Sequence, residues 1–138
     1  MYDLAALDDT SVNGTVLVGY QYHGRENQQW KLEKLSDGPV WPTWRLLSVG
    51  TGKCADVENG DSKNGARAQI WSVGRDNNNQ AWRIVSADPL GRVVMLQNVS
   101  SGTYLDISGG RAENGTRIQT WAGSLQNPNQ MWRVLRMK

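Results

Sequence analysis

Residues 64–71, Asn-Gly-Ala-Arg-Ala-Gln-Ile-Trp, return 50 positions later at 114–121 as Asn-Gly-Thr-Arg-Ile-Gln-Thr-Trp. At the same spacing, Asn77-Asn78-Asn79-Gln80-Ala81-Trp82 returns as Asn127-Pro128-Asn129-Gln130-Met131-Trp132. A third, looser copy lies upstream in Asn13-Gly14, Tyr20 and Asn27-Gln28-Gln29-Trp30. Its offset from the second copy drifts from 51 to 52, as one small deletion would leave it. A fixed period of this size marks a repeated supersecondary unit that cannot bury its apolar face alone. The expectation is therefore one domain over residues 1–138, built from units 1–43, 44–92 and 93–138.

Apolar residues keep no helical spacing over three turns. Short β-branched and aromatic runs between turn signals recur instead, which predicts an all-β chain. In the second unit the predicted strands are 44–49, 53–57, 66–71 and 80–85, and in the third 93–99, 103–107, 116–121 and 130–135. The first unit supplies 2–6, 15–20 and 28–35, and lacks an opening strand. That leaves 11 strands where three four-stranded units would hold 12. Either the chain is truncated at its front or the strand is supplied in some other way. Asn64-Gly65 and Asn114-Gly115 fall between the second and third strands of their units, where turns with positive φ favour this dipeptide.

The 138 residues carry a formal charge of only +2, with Lys and Arg scattered, so no nucleic-acid footprint stands out. No apolar run approaches membrane-spanning length, and the first residues do not read as a signal peptide. The expected location is cytoplasmic or non-classically secreted. A single cysteine, Cys54, rules out internal disulfides and Cys-rich metal sites, and no cofactor or metal is expected. Nucleophilic and metal-assisted chemistry lack their parts: there is one His and no G-x-S-x-G motif. Asp8 and Asp9 are adjacent, so on an extended chain they point to opposite faces, which does not suit glycoside hydrolysis. The chain is not expected to be an enzyme.

Gln28-Gln29-Trp30, Gln80-Ala81-Trp82 and Gln130-Met131-Trp132 form three Gln-x-Trp motifs, one per unit, each preceded by Asn and by an upstream Asn-Gly turn. With three β-rich repeats, these motifs resemble the ricin-B-type lectins, and the first unit looks most like their mushroom and fungal members. The resemblance implies a β-trefoil, three four-stranded units around a pseudo-threefold axis. Trp30, Trp82 and Trp132 are then expected in the core, since a buried indole dominates local packing.

Two other sets of residues repeat at identical spacing. In the second unit they are Asp56, Gln69, Trp71 and Asn79, and in the third Asp106, Gln119, Trp121 and Asn129. A sugar needs polar partners for its hydroxyls and a flat apolar surface for the C–H face of its ring. In the resembling lectins the Asp accepts from adjacent hydroxyls, the Asn bonds one of them, and the aromatic stacks. That geometry is similar to the one selecting galactose and N-acetylgalactosamine. The Gln of Gln-x-Trp would orient the Asp from behind. In the first unit Tyr20 replaces Trp and Asn27 is kept. Strict offset places Ala5 opposite Asp56, whereas Asp3 fits if the loop before Asn13 carries two extra residues, and the resemblance favours Asp3.

The resemblance thus implies a multivalent lectin binding galactose- or N-acetylgalactosamine-terminated glycans on glycoproteins or glycolipids. Weak sites would act together, cross-linking partners if sites on one subunit or on a homodimer face apart. Two alternatives stay open: a protein-binding trefoil of the protease-inhibitor type, and a xylan- or arabinan-binding module from a larger hydrolase. Three glycosylation sequons, at Asn13, Asn98 and Asn114, read as hairpin chemistry rather than as acceptors.

Overall fold

The computed structural model describes residues 2–6 (backbone only), 11–111, 113–123 and 127–135. Eleven strands lie among them. They are β1 (Tyr2–Ala6), β2 (Leu17–Gln21), β3 (Trp30–Ser36), β4 (Thr43–Ser48), β5 (Cys54–Val57) and β6 (Ala66–Trp71). After these come β7 (Trp82–Ser86), β8 (Val93–Asn98), β9 (Tyr104–Ile107), β10 (Thr116–Trp121) and β11 (Trp132–Arg133). All the strand pairings are antiparallel. The protein is an all-β trefoil.

The strands divide into two layers. One is a barrel wall in which β4 pairs with β3 and β7, and β8 pairs with β7 and β11. The other is a cap of three hairpins, β1–β2, β5–β6 and β9–β10. The hairpins join one another around the axis: β10 pairs with β2 and β6, and a bridge from Val16 to Gln69 closes the ring. Inward-facing Leu17, Leu46, Ala55, Val57, Ile70, Trp82, Leu96, Leu105 and Ile118 form one core between the layers.

Expected strand ends at Gln28, Gln80 and Gln130 are corrected by one turn. Each Gln closes a three-residue 3-10 turn, and the strand begins at the following Trp. The cause is local in the second and third units. There Asn77 Oδ1 accepts from the Asn79 amide and Asn127 Oδ1 from the Asn129 amide, both at 3.0 Å, so the asparagines cap a turn rather than extend a strand.

The Gln-x-Trp tryptophans are scaffold. Trp82 is fully buried and its indole N–H donates to the Ala55 carbonyl at 3.0 Å; Trp132 donates to the Leu105 carbonyl at 3.1 Å. Trp30 and Trp132 pack on the core from partly buried positions.

The Asn-Gly turns do more than reverse the chain. Gly14, Gly65 and Gly115 have φ of 90°, 88° and 85°, a region where Cβ would be strained. Each turn also reaches into another unit's hairpin. Gly14 N–H donates to Ile70 O at 2.9 Å, Gly65 N–H to Thr120 O at 2.8 Å, and Gly115 N–H to Gly19 O at 2.9 Å. The Asn side chains repeat the reach: Asn13 Oδ1 accepts from the Ser72 amide, Asn64 Oδ1 from Ala122, and Asn114 Oδ1 from Gln21, at 2.9, 2.7 and 2.7 Å. Asn13 and Asn114 are thus turn residues, as expected. Asn98 is also a hairpin residue: fully buried at the end of β8, its Oδ1 accepts from the Ser100 and Ser101 amides, both at 3.1 Å, while its Nδ2 donates to Asn79 O at 2.9 Å.

Trp82→Phe keeps most of the volume and leaves the buried Ala55 carbonyl without its donor. It should lower unfolding free energy by about 1–3 kcal/mol, read from urea denaturation. Trp82→Ala should lower it by about 3–5 kcal/mol.

Candidate functional site

In the second unit, β5 and β6 bring the predicted residues together because their register sets Asp56 opposite Gln69 and Cys54 opposite Trp71. In the third, β9 and β10 set Asp106 opposite Gln119 and Tyr104 opposite Trp121. Directly opposed side chains lie on the same face of a hairpin, so acid, amide and aromatic share one side.

Asp56 is 4% exposed and Asp106 3%, so each carboxylate needs partners. Gln69 Nε2 donates to Asp56 Oδ1 at 3.2 Å and Gln80 Nε2 to Oδ2 at 3.1 Å. The third unit repeats this with Gln119 to Asp106 Oδ1 at 3.1 Å and Gln130 to Oδ2 at 3.2 Å. Gln80 and Gln130 are fixed in turn, their Nε2 groups also donating to Ser72 O and Ala122 O, both at 2.9 Å. The Gln of Gln-x-Trp therefore holds the acid from behind. Gln69 and Gln119 position the same carboxylate from the side, and Gln69, at 5% exposure, is turned toward it. A carboxylate has about four lone-pair directions, so two donors leave acceptor capacity over.

The aromatics stand apart from the core. Trp71 is 42% exposed and Trp121 41%, against none for Trp82. Asn79 and Asn129 complete the two constellations, each on the 3-10 turn before the strand that starts with the buried Trp.

Two features of these sites did not come from sequence. The first is glycine. A Cβ on Gly60 would lie 2.4 Å from Asn79 Oδ1, and one on Gly110 would lie 2.6 Å from Asn129 Oδ1. Both glycines have positive φ, 60° and 64°. The loop after the Asp strand thus packs directly on the site asparagine, and only glycine leaves room. The second is the neighbouring unit's turn. Trp71 Cζ3 and Gln69 Oε1 lie 3.8 Å from the Cβ position of Gly14, and Trp121 and Gln119 stand in the same relation to Gly65. Each site is walled by the turn of the unit before it. The recurrence of Asn-Gly carries this signal, although by itself the dipeptide specifies only a local turn.

The first unit differs. The β1–β2 register places Asp3 opposite Tyr20, the rung that Cys54 and Tyr104 occupy, and places Ala5 opposite Val18, the rung of Asp56–Gln69 and Asp106–Gln119. The expected match of Asp3 with Asp56 and Asp106 is thus corrected to Ala5. The two extra loop residues it required are not there, because Asp3 to Tyr20, Cys54 to Trp71 and Tyr104 to Trp121 are all 17 positions apart. The Asp3 side chain and residues 7–10 lie outside what is described. Asn27 is 8% exposed, Gln28 Nε2 donates to Gln21 O at 2.9 Å, and Tyr20 is 37% exposed. Tyr20 meets His23 edge to face at 5.6 Å in an open hollow of about 370 Å³ that also takes in Tyr22 and Arg25. His23 Nδ1 accepts from the Arg25 amide at 3.2 Å, so this ring also has a local structural role.

Burial, the largest effect, raises the Asp56 carboxyl above its ordinary value, and the charge of Glu58 adds to the rise. The Gln69 and Gln80 amides pull the other way.

The family model described as ricin-type beta-trefoil lectin domain-like matches residues 4–71, 26–121 and 78–138. The chain belongs to that family, whose lectins bind carbohydrate. Among solved structures it is similar to ThreeFoil, a designed threefold-symmetric protein, at 29% identity and TM-score 0.89, covering 99% of this chain and 91% of that one. The ricin B-like lectin of Macrolepiota procera, solved in complex with lactose, has 24% identity and TM-score 0.68, with 96% and 91% covered. An exo-β-1,3-galactanase of Clostridium thermocellum has 24% identity and TM-score 0.82 over 94% of this chain, which spans 26% of the galactanase. No curated protein matches the chain.

Two outcomes follow. Because folded Asp56 holds its proton to higher pH than the unfolded chain, stability should fall as pH rises from about 4 through the raised folded value, and level off above it. Asp56→Asn should remove that decline, as urea titrations between about pH 3.5 and 7 would read. Separately, Asn64→Ala removes the acceptor of the Ala122 amide beside Trp121, so it should shift the indole NMR signal of Trp121 and leave that of Trp71 in place.

Proposed function

We propose that the chain is a non-catalytic lectin with two equivalent sites for terminal galactose or N-acetylgalactosamine, centred on Asp56–Trp71–Asn79 and Asp106–Trp121–Asn129. The observation that carries this is the contrast within each site. The carboxylate is buried and clamped by two amides, while a tryptophan two rungs away on the same face stays about two-fifths exposed. An apolar ring left in water beside a fixed acceptor suits a ligand with hydroxyls on one edge and C–H groups on one face.

In this reading Asp56 and Asp106 accept from adjacent hydroxyls, and Asn79 and Asn129 bond one of the same hydroxyls. The indoles of Trp71 and Trp121 cover the C–H face, which an axial 4-hydroxyl leaves continuous. The lactose bound to the Macrolepiota procera lectin supports the galactoside class. The first unit is not a third equivalent site, since Ala5 and Val18 hold the rung where the others keep Asp and Gln. Each site is shallow and weak alone, so function rests on two sites engaging glycoproteins or glycolipids that present many copies.

The galactanase likeness favours a second reading, a glycan-targeting module within a larger hydrolase. The ligand would then be a polysaccharide: xylan, arabinan or, following that enzyme's name, a β-1,3-galactan.

Calorimetry with lactose or N-acetylgalactosamine at millimolar levels should give a stoichiometry near two. Asp56→Ala and Asp106→Ala should each bring it near one, and the double variant should show no heat. Asp3→Ala should leave it unchanged. A glycan array separates the readings: short glycans ending in galactose or N-acetylgalactosamine support the first, xylan, arabinan or β-1,3-galactan polysaccharide alone the second, and no bound glycan sinks both.

A further inference from the structure

The second- and third-unit sites share acid, amides and aromatic, but they differ along one edge. Beside the second, the hairpin that joins β8 to β9 lies against the turn carrying Asn79. Val99 N–H donates to Ala81 O at 2.9 Å, and Ser100 N–H to Asn78 O at 3.3 Å. Asn98 ties the two segments together. Its Nδ2 donates to Asn79 O at 2.9 Å, while its Oδ1 accepts from the Ser100 and Ser101 amides, both at 3.1 Å. One buried carboxamide therefore fixes both the backbone of the site asparagine and the start of the neighbouring loop.

That loop brings a hydroxyl to the site. A Cβ on Gly60 would lie 2.7 Å from Ser100 Oγ, with Asn79 Oδ1 as its other near neighbour. The missing Cβ leaves a small notch with the carboxamide on one side and the hydroxyl on the other. Ser100 is exposed, and neither its hydroxyl nor the Asn79 carboxamide makes a hydrogen bond among the described residues. The other junctions differ. Ser48-Val49-Gly50 stands in the second unit where Asn98-Val99-Ser100 stands in the third, so Gly50 takes the place of Ser100. Ser48 is buried with its hydroxyl unpartnered among the described residues, so it makes no tie like that of Asn98. At Gly110, the third-unit counterpart of Gly60, the three nearest atoms all belong to Asn129.

We infer that Ser100, positioned by Asn98, is a specificity-determining residue of the second-unit site, an assignment that rests on the galactoside reading above. In that reading Asn79 bonds one of the two hydroxyls that Asp56 accepts. The substituent on the adjoining ring carbon then meets the notch beside Gly60, where Ser100 Oγ bonds it. A serine hydroxyl both donates and accepts, so it suits a ring hydroxyl, a hydroxymethyl or an acetamide group. The third-unit site has no such group beside Gly110 and reads only the hydroxyl pair and the C–H face. One chain thus carries a more discriminating site and a more permissive one.

Titration of the full chain with methyl β-galactoside, followed at the indole NMR signals of Trp71 and Trp121, reads the two sites separately. Ser100→Ala should weaken binding at Trp71 by roughly 2–10-fold and leave the Trp121 Kd unchanged, while Ser100→Thr should keep the affinity. Of the 2-deoxy and 6-deoxy galactosides, one should already bind more weakly at Trp71 and lose nothing further on Ser100→Ala. That coupling requires direct contact, and a purely structural role would not produce it. Asn98→Ser, the residue found at Ser48, should weaken the Trp71 site at least as much, again without change at Trp121. An unaltered Trp71 Kd in that variant overturns the positioning role of Asn98. A Trp71 Kd that Ser100→Ala does not change, or weakens equally for all three sugars, overturns the assignment and leaves galactoside binding standing. No sugar-dependent shift at either indole overturns the galactoside reading and the assignment with it.

Discussion

The trefoil depends on one repeated clasp, the Asn-Gly turn of each unit fastening onto the hairpin of another. Gly14 to Ile70, Gly65 to Thr120 and Gly115 to Gly19 close a ring of backbone hydrogen bonds, and the three asparagine side chains reinforce it one residue after Trp71, Trp121 and Tyr20. Arginines tighten two of the three junctions: Arg67 donates to Gly14 O, and Arg117 to Gly65 O at 3.0 Å. The first unit has Val16 at that position, and its junction has no counterpart. Hydrogen bonds of this kind contribute only about 0.5–1.5 kcal/mol each. Their effect is to fix how three apolar caps sit over one core, which no unit could do alone.

On that frame the candidate site is a short chain of positioning. A 3-10 turn capped by Asn77 or Asn127 aims a Gln inward, and that Gln holds the acid. A strand pairing brings a second Gln to the acid's other oxygen. The tryptophan two residues further along the strand, on the same face, is left in solvent. Nearly all the polar apparatus is buried and satisfied, and the face left open is mostly flat carbon. This division suits recognition, in which a rigid acceptor meets its ligand without reorganising.

Much of this was legible in the sequence, for physical reasons. Alternating strands and positive-φ turns carry local signals, so the second and third units came out within a few residues. Asp, Trp and Asn could be picked out because they repeat at fixed spacing in two units. The first unit was not legible, because one copy with Tyr20 for Trp fixes no register, and pairing rather than motif decided that Ala5 takes the place of Asp56. Gly60 and Gly110 are not legible in sequence because their role is the absence of a Cβ beside an asparagine far along the chain. Gln28, Gln80 and Gln130 look like strand residues by type, and in two of the three units a capping asparagine turns them into helical-turn residues.

The clasp also means that no unit owns its site. Trp71 lies beside Gly14, and Trp121 beside Gly65, so each candidate site borders the turn of the neighbouring repeat. A substitution in one repeat's Asn-Gly turn would therefore be felt first at the aromatic of the next repeat. The first unit contributes in the same way. Ala5 stands at the acid rung, yet the Asn13-Gly14 turn still borders Trp71.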